Sequence, residues 1–345
     1  MPSNKIKSVC FALLAAVFYA VNIPVSKILL RQVEPTVMAA LLYLGAGIGI
    51  GLLSLLNKND RKNSQNLSKT DLPFVIGMIV LDIAAPIFLM LGIKYGSSAN
   101  ASLLGNFEIV ATSLIALFLF KETVSLRLWA AIILITLSSI LLSFEGTDSF
   151  KFSYGSFLVL AATICWGLEN NCTKNISSKS TYEVVVLKGI FSGTGALIIA
   201  FIKGEKLPGF ALIAAAMLLG FIAYGLSIFL YVRAQNVLGA ARTSAYYAVA
   251  PFIGVFFSFM FLHERISLLY FAALIIMIAG AVVVIADTLI RKHEHQHCHI
   301  FIHTHDGTTH KHKVIHSHFH NHYFTERKHK HFHSKSEQEL MLNQR

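Results

Sequence analysis

Leu13-Leu-Ala-Ala-Val-Phe-Tyr19-Ala-Val-Asn22-Ile-Pro-Val-Ser26-Lys27 lies over Leu160-Ala-Ala-Thr-Ile-Cys-Trp166-Gly-Leu-Glu169-Asn-Asn-Cys-Thr173-Lys174 as a second copy of one segment. Both keep an aromatic at one place, a polar residue three positions later, and a hydroxyl–lysine pair at the end. Further on, Phe118-Leu-Phe-Lys-Glu122-Thr-Val-Ser125 lies over Met260-Phe-Leu-His-Glu264-Arg-Ile-Ser267. The offsets of 147 and 142 residues differ only by small gaps, so the chain is written as two related halves.

Working outward, each half is a string of uncharged apolar runs. Of 345 residues 55% are hydrophobic and only 14% charged, where a soluble domain carries about a quarter charged residues. Runs of about 20 apolar residues match the roughly 30 Å of hydrocarbon that a helix must cross. They fall near 7–29, 36–56, 73–94, 98–120, 126–144, 154–173, 183–202, 209–232, 241–262 and 268–289. The expected fold is an all-α membrane protein of ten transmembrane helices arranged as two five-helix repeats, residues 1–145 and 146–290, followed by a His-rich tail, 291–345. Five is odd, so the second repeat enters the bilayer inverted relative to the first. Inverted repeats around a central site are characteristic of transporters. Small residues are frequent inside the spans, for example Gly45, Gly47, Gly49 and Gly51, and they permit the close backbone approach that holds a bundle together. No cleavable leader precedes the first run, which reads as a retained span. Cys10, Cys165, Cys172 and Cys298 show no paired spacing, which argues against a disulfide framework.

With the amino terminus inside, the inner loops before the tail carry 14 Lys and Arg and the outer loops 7. That bias expects both termini in the cytoplasm of a multi-pass plasma-membrane protein, the inner membrane in a bacterium. The net charge of +11 belongs to these loops and the tail, so the lipid bilayer surface is its partner, with no nucleic acid.

Ala223-Tyr-Gly-Leu-Ser-Ile-Phe-Leu-Tyr-Val-Arg233-Ala, Gly239-Ala-Ala-Arg-Thr-Ser-Ala-Tyr246-Tyr-Ala-Val-Ala-Pro251-Phe-Ile-Gly, and a helix ending His263-Glu264 together resemble the second EamA unit of the drug/metabolite transporter superfamily. Gly96-Ser-Ser-Ala-Asn-Ala-Ser-Leu-Leu-Gly-Asn106-Phe-Glu108, ending Lys121-Glu122, is similar to the first. The resemblance covers roughly residues 8–287. It implies ten spans in two inverted units, cytoplasmic termini, and export of amino acids, other metabolites or drugs. Ile109 stands where the second half has Pro251, which leaves any hinge one-sided.

Charges within spans are candidate pathway residues, because each costs several kcal/mol (about 2.5–3.5) at the bilayer centre. Asp82 and Glu108 fall near the middle of neighbouring spans, where they either bind a proton or cation or sit protonated in structural hydrogen bonds. Glu169 and Lys188 form a second candidate pair, an interhelical salt bridge. Asn22 and Glu169 share a repeat position beside Tyr19 and Trp166. With Asn171, Tyr246 and Pro251 these are the candidate pathway residues, against the reading that polar groups in bundles serve as packing glue.

Fifteen of 16 histidines lie between His293 and His333, in His-x-His alternations. His293, His295, His297, His299, His303, His305, His316, His318, His320 and His322 are the candidate metal ligands, for zinc, nickel or copper. Composition predicts a disordered apo tail. It is a metal-binding segment, a basic pH-titrating tether, or a feeder for a metal pore.

No Walker lysine loop or Ser nucleophile elbow is present, so no enzymatic activity is expected. The function expected is a secondary transporter, an exporter of a small organic solute, proton-coupled through Glu108. No cofactor is required, and a second copy of the chain is a candidate partner. The alternatives are a divalent metal transporter and a non-transporting metal sensor.

Overall fold

The computed structural model describes the chain outside Met1 and residues 57–66, 122–123, 146–150, 177–179, 239–242, 244–245, 264–266, 306–307 and 324–345. Met1–Ile285 form one compact unit and Ala286–Arg345 another.

The first unit is helical. Its helices are α1 Pro2–Ala20, α2 Asn22–Leu29, α3 Pro35–Leu56, α4 Leu72–Tyr95, α5 Ser98–Leu104, α6 Phe107–Phe120 and α7 Leu126–Leu142, followed by α8 Tyr154–Asn175. Then come α9 Thr181–Leu187 and α10 Gly193–Ile202, joined by a π-helical turn Lys188–Ser192. A second π-helical turn, Phe221–Leu226, joins α11 Phe210–Gly220 to α12 Ser227–Leu238. The last two are α13 Ala250–Leu262 and α14 Leu268–Leu289. Among the described residues, seven stretches are long and apolar enough to cross a bilayer: Ile6–Leu29, Pro35–Leu55, Lys69–Tyr95, Ser98–Leu119, Tyr182–Ile202, Phe210–Tyr231 and Leu268–Asp287. Their outward faces carry large apolar side chains such as Phe118 (72% exposed), Phe210 (84%) and Leu268 (87%). Water would penalise such a surface, whereas hydrocarbon accepts it.

The interior is filled by small residues and a few long ones, such as Ala15, Ala85, Met38, Leu42 and Met90. The two halves interleave: α4 lies along α8, α1 along α12, and α3 against α10 and α11. Glycines on α3 permit that approach. A Cβ at Gly45 would stand 2.1 Å from Met217 O, and one at Gly47 2.7 Å from Ile190 N. Gly51 differs, since its nearest neighbour would be Val186 Cγ2 at 3.9 Å.

The repeat is visible in the backbone. Lys121 (φ 54°) ends α6 and His263 (φ 50°) ends α13, both in the left-handed conformation that turns a chain out of a helix. Four residues later Ser125 Oγ accepts from Leu128 N at 3.0 Å, and Ser267 Oγ accepts from Tyr270 N at 3.0 Å, capping α7 and α14. Glu122 and Glu264, between these caps, lie outside the described residues.

One expectation is corrected. Helix interruption is not confined to the half with proline. Helix α13 begins at Ala250 with Pro251 in its first turn, after a break at Ala248–Val249. In the first half the helix breaks at Gly105–Asn106 and restarts at Phe107. There Ile109 N bonds to Asn106 O at 3.1 Å, as Phe252 N bonds to Val249 O at 3.1 Å. A helix-poor Gly-Asn pair interrupts the first half where proline interrupts the second.

Short strands accompany the helices. Phe144–Glu145 (β1) pairs antiparallel with Lys151–Phe152 (β2) between the halves. In the second unit the tail, expected to be disordered, runs as an antiparallel ladder of Ile290–His305 (β3) and Thr308–Tyr323 (β4). Two-residue alternation with Ile, Val, Phe and Thr interspersed is a strand pattern, and it outweighs the low-complexity composition. Register sets His293 opposite His320, His295 opposite His318, His297 opposite His316 and His303 opposite His310.

The start of α3 is held from the far half. Glu205 accepts from Thr36 N and Val37 N at 3.0 Å each and from Thr36 Oγ1 at 2.6 Å, and Lys203 Nζ stands 2.7 Å from it. This carboxylate meets orphan N–H groups at a helix N-terminus. Partial burial alone would raise its pKa, but the bonds from Lys203, Thr36 and Val37 outweigh that and hold it below the ordinary glutamate value. A depressed carboxyl contributes stability above its unfolded pKa and loses it as pH falls through the folded value. Glu205→Gln should therefore lower Tm by about 2–4 °C at neutral pH. The gap should close on acidification to about pH 3, which thermal unfolding in detergent across pH would check.

Candidate functional site

Helix α8 presents Trp166, Glu169, Asn170 and Thr173 at three- and four-residue spacing, hence on one face. Facing them are Tyr43 of α3, Asp82 of α4, Lys188 in the first π-helical turn, and Glu108 just after the break between α5 and α6.

Lys188 Nζ lies 3.0 Å from Asp82 Oδ2 and 3.0 Å from Glu169 Oε1, bridging two carboxylates. The Asp82 side chain is 0% exposed and that of Glu169 3%. Tyr43 OH donates to Asp82 Oδ1 at 3.0 Å, and Trp166 Nε1 points to Tyr43 OH at 3.4 Å. Thr173 Oγ1 donates to Glu169 from the next turn of α8. A network runs Trp166–Tyr43–Asp82–Lys188–Glu169–Thr173, with members from both halves. The π-helical turn matters, because the extra residue per turn re-aims Lys188 relative to a regular helix.

Glu108 belongs to a neighbouring group. It accepts from Asn170 Nδ2 at 2.7 Å, and that amide also reaches Thr112 Oγ1 at 3.2 Å. Glu108 is half-buried and lies within electrostatic reach of the hydroxyls of Tyr19, Tyr224 and Tyr247. Those tyrosines form a cluster. Ring centroids are 6.0 Å apart for Tyr19–Tyr224, 5.8 Å for Tyr19–Tyr247, 5.3 Å for Tyr43–Tyr224 and 5.2 Å for Tyr231–Tyr247. Asn22 Nδ2 donates to Tyr224 OH at 3.0 Å, and Ser227 Oγ is 3.2 Å from Tyr247 OH.

Among residues singled out from sequence, Asp82, Glu169, Lys188 and Trp166 meet in one network, and Glu108, Tyr19 and Asn22 in the adjoining one. Two pairings differ. Asp82 does not pair with Glu108, because Lys188 stands against Asp82 and Glu108 turns to Asn170. The Glu169–Lys188 pair is one arm of a three-membered bridge. Tyr246 is 37% exposed and stands apart, while its neighbour Tyr247 joins the cluster. Asn171 Nδ2 bonds Thr112 O at 3.2 Å and Gly167 O at 2.8 Å, tying α8 to α6. Pro251 starts α13 and enters no polar contact of the cluster. The ten candidate metal-ligand histidines fall on strands whose side chains lie outside the described residues. Sequence reasoning passed over Tyr43, Thr112 and Thr173. A single tyrosine or threonine in an apolar run carries no signal of its own, though Thr173 could have been found from its i, i+4 spacing to Glu169.

Removing the ammonium from a buried bridge strands its carboxylates. Lys188→Met should destabilise the protein by about 3–5 kcal/mol, and adding Asp82→Asn with Glu169→Gln should recover most of that. Unfolding midpoints of single and triple variants check it. A triple variant no more stable than the single would refute the electrostatic account.

The model of the EamA-like transporter family matches residues 6–144 and 153–286, one match per repeat. An uncharacterized transporter of Methanothermobacter thermautotrophicus is 27% identical over 285 residues, which cover 77% of this chain and 82% of that protein. A protein of known crystal structure, 16% identical, superposes with a TM-score of 0.58 over 80% of this chain and 95% of its own, a likeness of fold.

Proposed function

The chain belongs to the EamA-like transporter family, and from that premise we propose that it is a secondary transporter exporting a small organic solute, with exchange coupled to protons through Glu108. As a family member it is a multi-pass membrane transporter. The finer architecture belongs to the proposal: ten spans in two inverted five-helix repeats, with both termini cytoplasmic. In this reading α1 with α2, α5 with α6, α9 with α10 and α11 with α12 each make one span across a break or π-helical turn.

The observation that carries it is the position of the polar groups. Asp82 is the eleventh residue of the 24-residue α4, and Glu108 follows a helix break midway through its span. Discontinuous helices with polar groups near the midplane, where two repeats meet, are the design of alternating-access carriers. An intramembrane carboxylate that gains and loses a proton links solute movement to the pH gradient. Reconstituted protein loaded with a labelled panel of amines, amino acids and aromatic compounds should release at least one of them faster when the outside is acidic. Glu108→Gln should abolish the pH dependence. Equal flux from protein-containing and empty vesicles across the panel would overturn the reading.

The second unit supports a separate proposal, that the tail binds zinc, nickel or copper. Its support is the His-x-His spacing and a ladder register that sets four pairs of histidine positions opposite one another. Cross-strand neighbours on one face lie about 5 Å apart, a spacing compatible with sharing a metal. Zinc titration of the full chain should show saturable binding that disappears when residues 291–345 are removed, with solute flux retained. A divalent metal pore has less behind it. Among the described residues no group of three His, Cys, Asp or Glu side chains is placed to hold a metal.

A further inference from the structure

The charge balance of the membrane interior narrows the solute. Among the described residues, the middle of the helical unit holds three carboxylates, the buried Asp82 and Glu169 and the half-buried Glu108, and one ammonium, Lys188. Lys188 is shared between Asp82 and Glu169 at 3.0 Å each, so it is committed twice. The hydrogen bond to Glu108 comes from a neutral donor, Asn170. An ionised carboxylate midway through a span needs a cation, a proton or water.

Resting on the transporter reading above, we propose that the solute is an organic cation, a protonated or quaternary amine with apolar bulk and no carboxylate of its own, and that Glu108 is its counter-ion. Three features of the surroundings select this class. First, the neighbours are aromatic. Tyr19, Tyr224 and Tyr247 stand with centroids 5.8–6.0 Å from Tyr19 to each of the others. Their negative π faces attract a soft, weakly hydrated cation. Second, the hydroxyls are already engaged: Tyr224 with Asn22, Tyr247 with Ser227, and Tyr43 with Asp82. The ring orientations are thereby fixed. A hard metal ion instead requires about six oxygen ligands, and Asn170 turns its N–H, not its carbonyl, toward Glu108. Third, a zwitterion or anion would bring a carboxylate to a centre whose one ammonium is already occupied by two.

Proton and organic cation then compete for one carboxylate. Binding of the cation releases the Glu108 proton, and reprotonation releases the cation, which makes the exchange one for one. The competition also predicts weaker cation binding at lower pH, with up to a tenfold rise in apparent Kd per pH unit once Glu108 is mostly protonated.

The test uses the full chain in detergent with labelled benzyltrimethylammonium and tetraphenylphosphonium, and with phenylalanine as the zwitterionic counterpart. The cations should bind and phenylalanine should not. Glu108→Gln should weaken cation binding at least about tenfold, the scale of one lost charge contact. Tyr19→Phe should retain binding and Tyr19→Ala should not, since the ring and not the hydroxyl makes the contact. Should Glu108→Gln fail to fold, wild-type protein still decides. A quaternary ammonium carries no titratable proton, so proton release on adding it, measured from about pH 5 to about pH 8, reads a protein carboxyl. Absence of release at every pH overturns the inference. Binding and proton-driven flux of phenylalanine with no cation binding would overturn it too while leaving the transporter reading intact. No flux of any solute would remove the transporter reading itself.

Discussion

Lys188 is the ammonium on which the interior depends. Two carboxylates from different helices, Asp82 and Glu169, enter a region that excludes water, and one side chain from the first π-helical turn answers both. The bridge joins α4 of the first repeat to α8 and the α9–α10 span of the second. In lipid there is no hydrophobic force to press helices together, so polar contacts and close backbone packing must hold the two repeats in register. Gly47 of α3 supplies the second element, bringing its backbone against the same π-helical turn that carries Lys188. Charge placement and backbone approach are thus set by one short segment.

The broken helices follow from the same constraint. Every backbone N–H and C=O in a bilayer needs an internal partner, so a helix can be interrupted only where protein supplies one. At Gly105–Asn106 and at Ala248–Val249 the chain satisfies itself with i→i+3 bonds and restarts. The π-helical turns do likewise at Lys188–Ser192 and Phe221–Leu226. These irregularities coincide with the polar groups: Glu108 follows a break, Lys188 opens one π-helical turn, and Tyr224 lies in the other.

Much of this was legible in the sequence, for identifiable reasons. The apolar runs and the repeat at offsets of 147 and 142 residues gave the helices and the two related halves, since spanning length and gene duplication both leave long-range patterns. Single charges within apolar runs were conspicuous, so Asp82, Glu108, Glu169 and Lys188 stood out. Their pairing did not. Which carboxylate meets which ammonium depends on helix rotation, and an extra residue in a π-helical turn shifts that by about 100° without marking the composition. Tyr43 was invisible for a related reason: a tyrosine among leucines carries no pairing signal until Asp82, 39 residues away, accepts its hydrogen bond. In the tail the His-x-His alternation and the low-complexity composition were both legible and point opposite ways, the first to a strand and the second to disorder.

The two repeats share their caps and breaks but not their charges. Lys121 and His263, and Ser125 and Ser267, correspond position for position, and the two mid-span breaks fall one residue from doing so. Asn22 and Glu169 also occupy one repeat position, yet the first holds a tyrosine hydroxyl and the second an ammonium. Duplication therefore left similar helix interruptions and caps in both halves, with unequal side chains at equivalent positions. A carrier that alternates between two faces would need similar energies for its two arrangements, which equivalent backbone devices suit. The charged solute proposed above would need an asymmetric field, which unequal side chains suit. Symmetry in the backbone and asymmetry in the side chains are separable here.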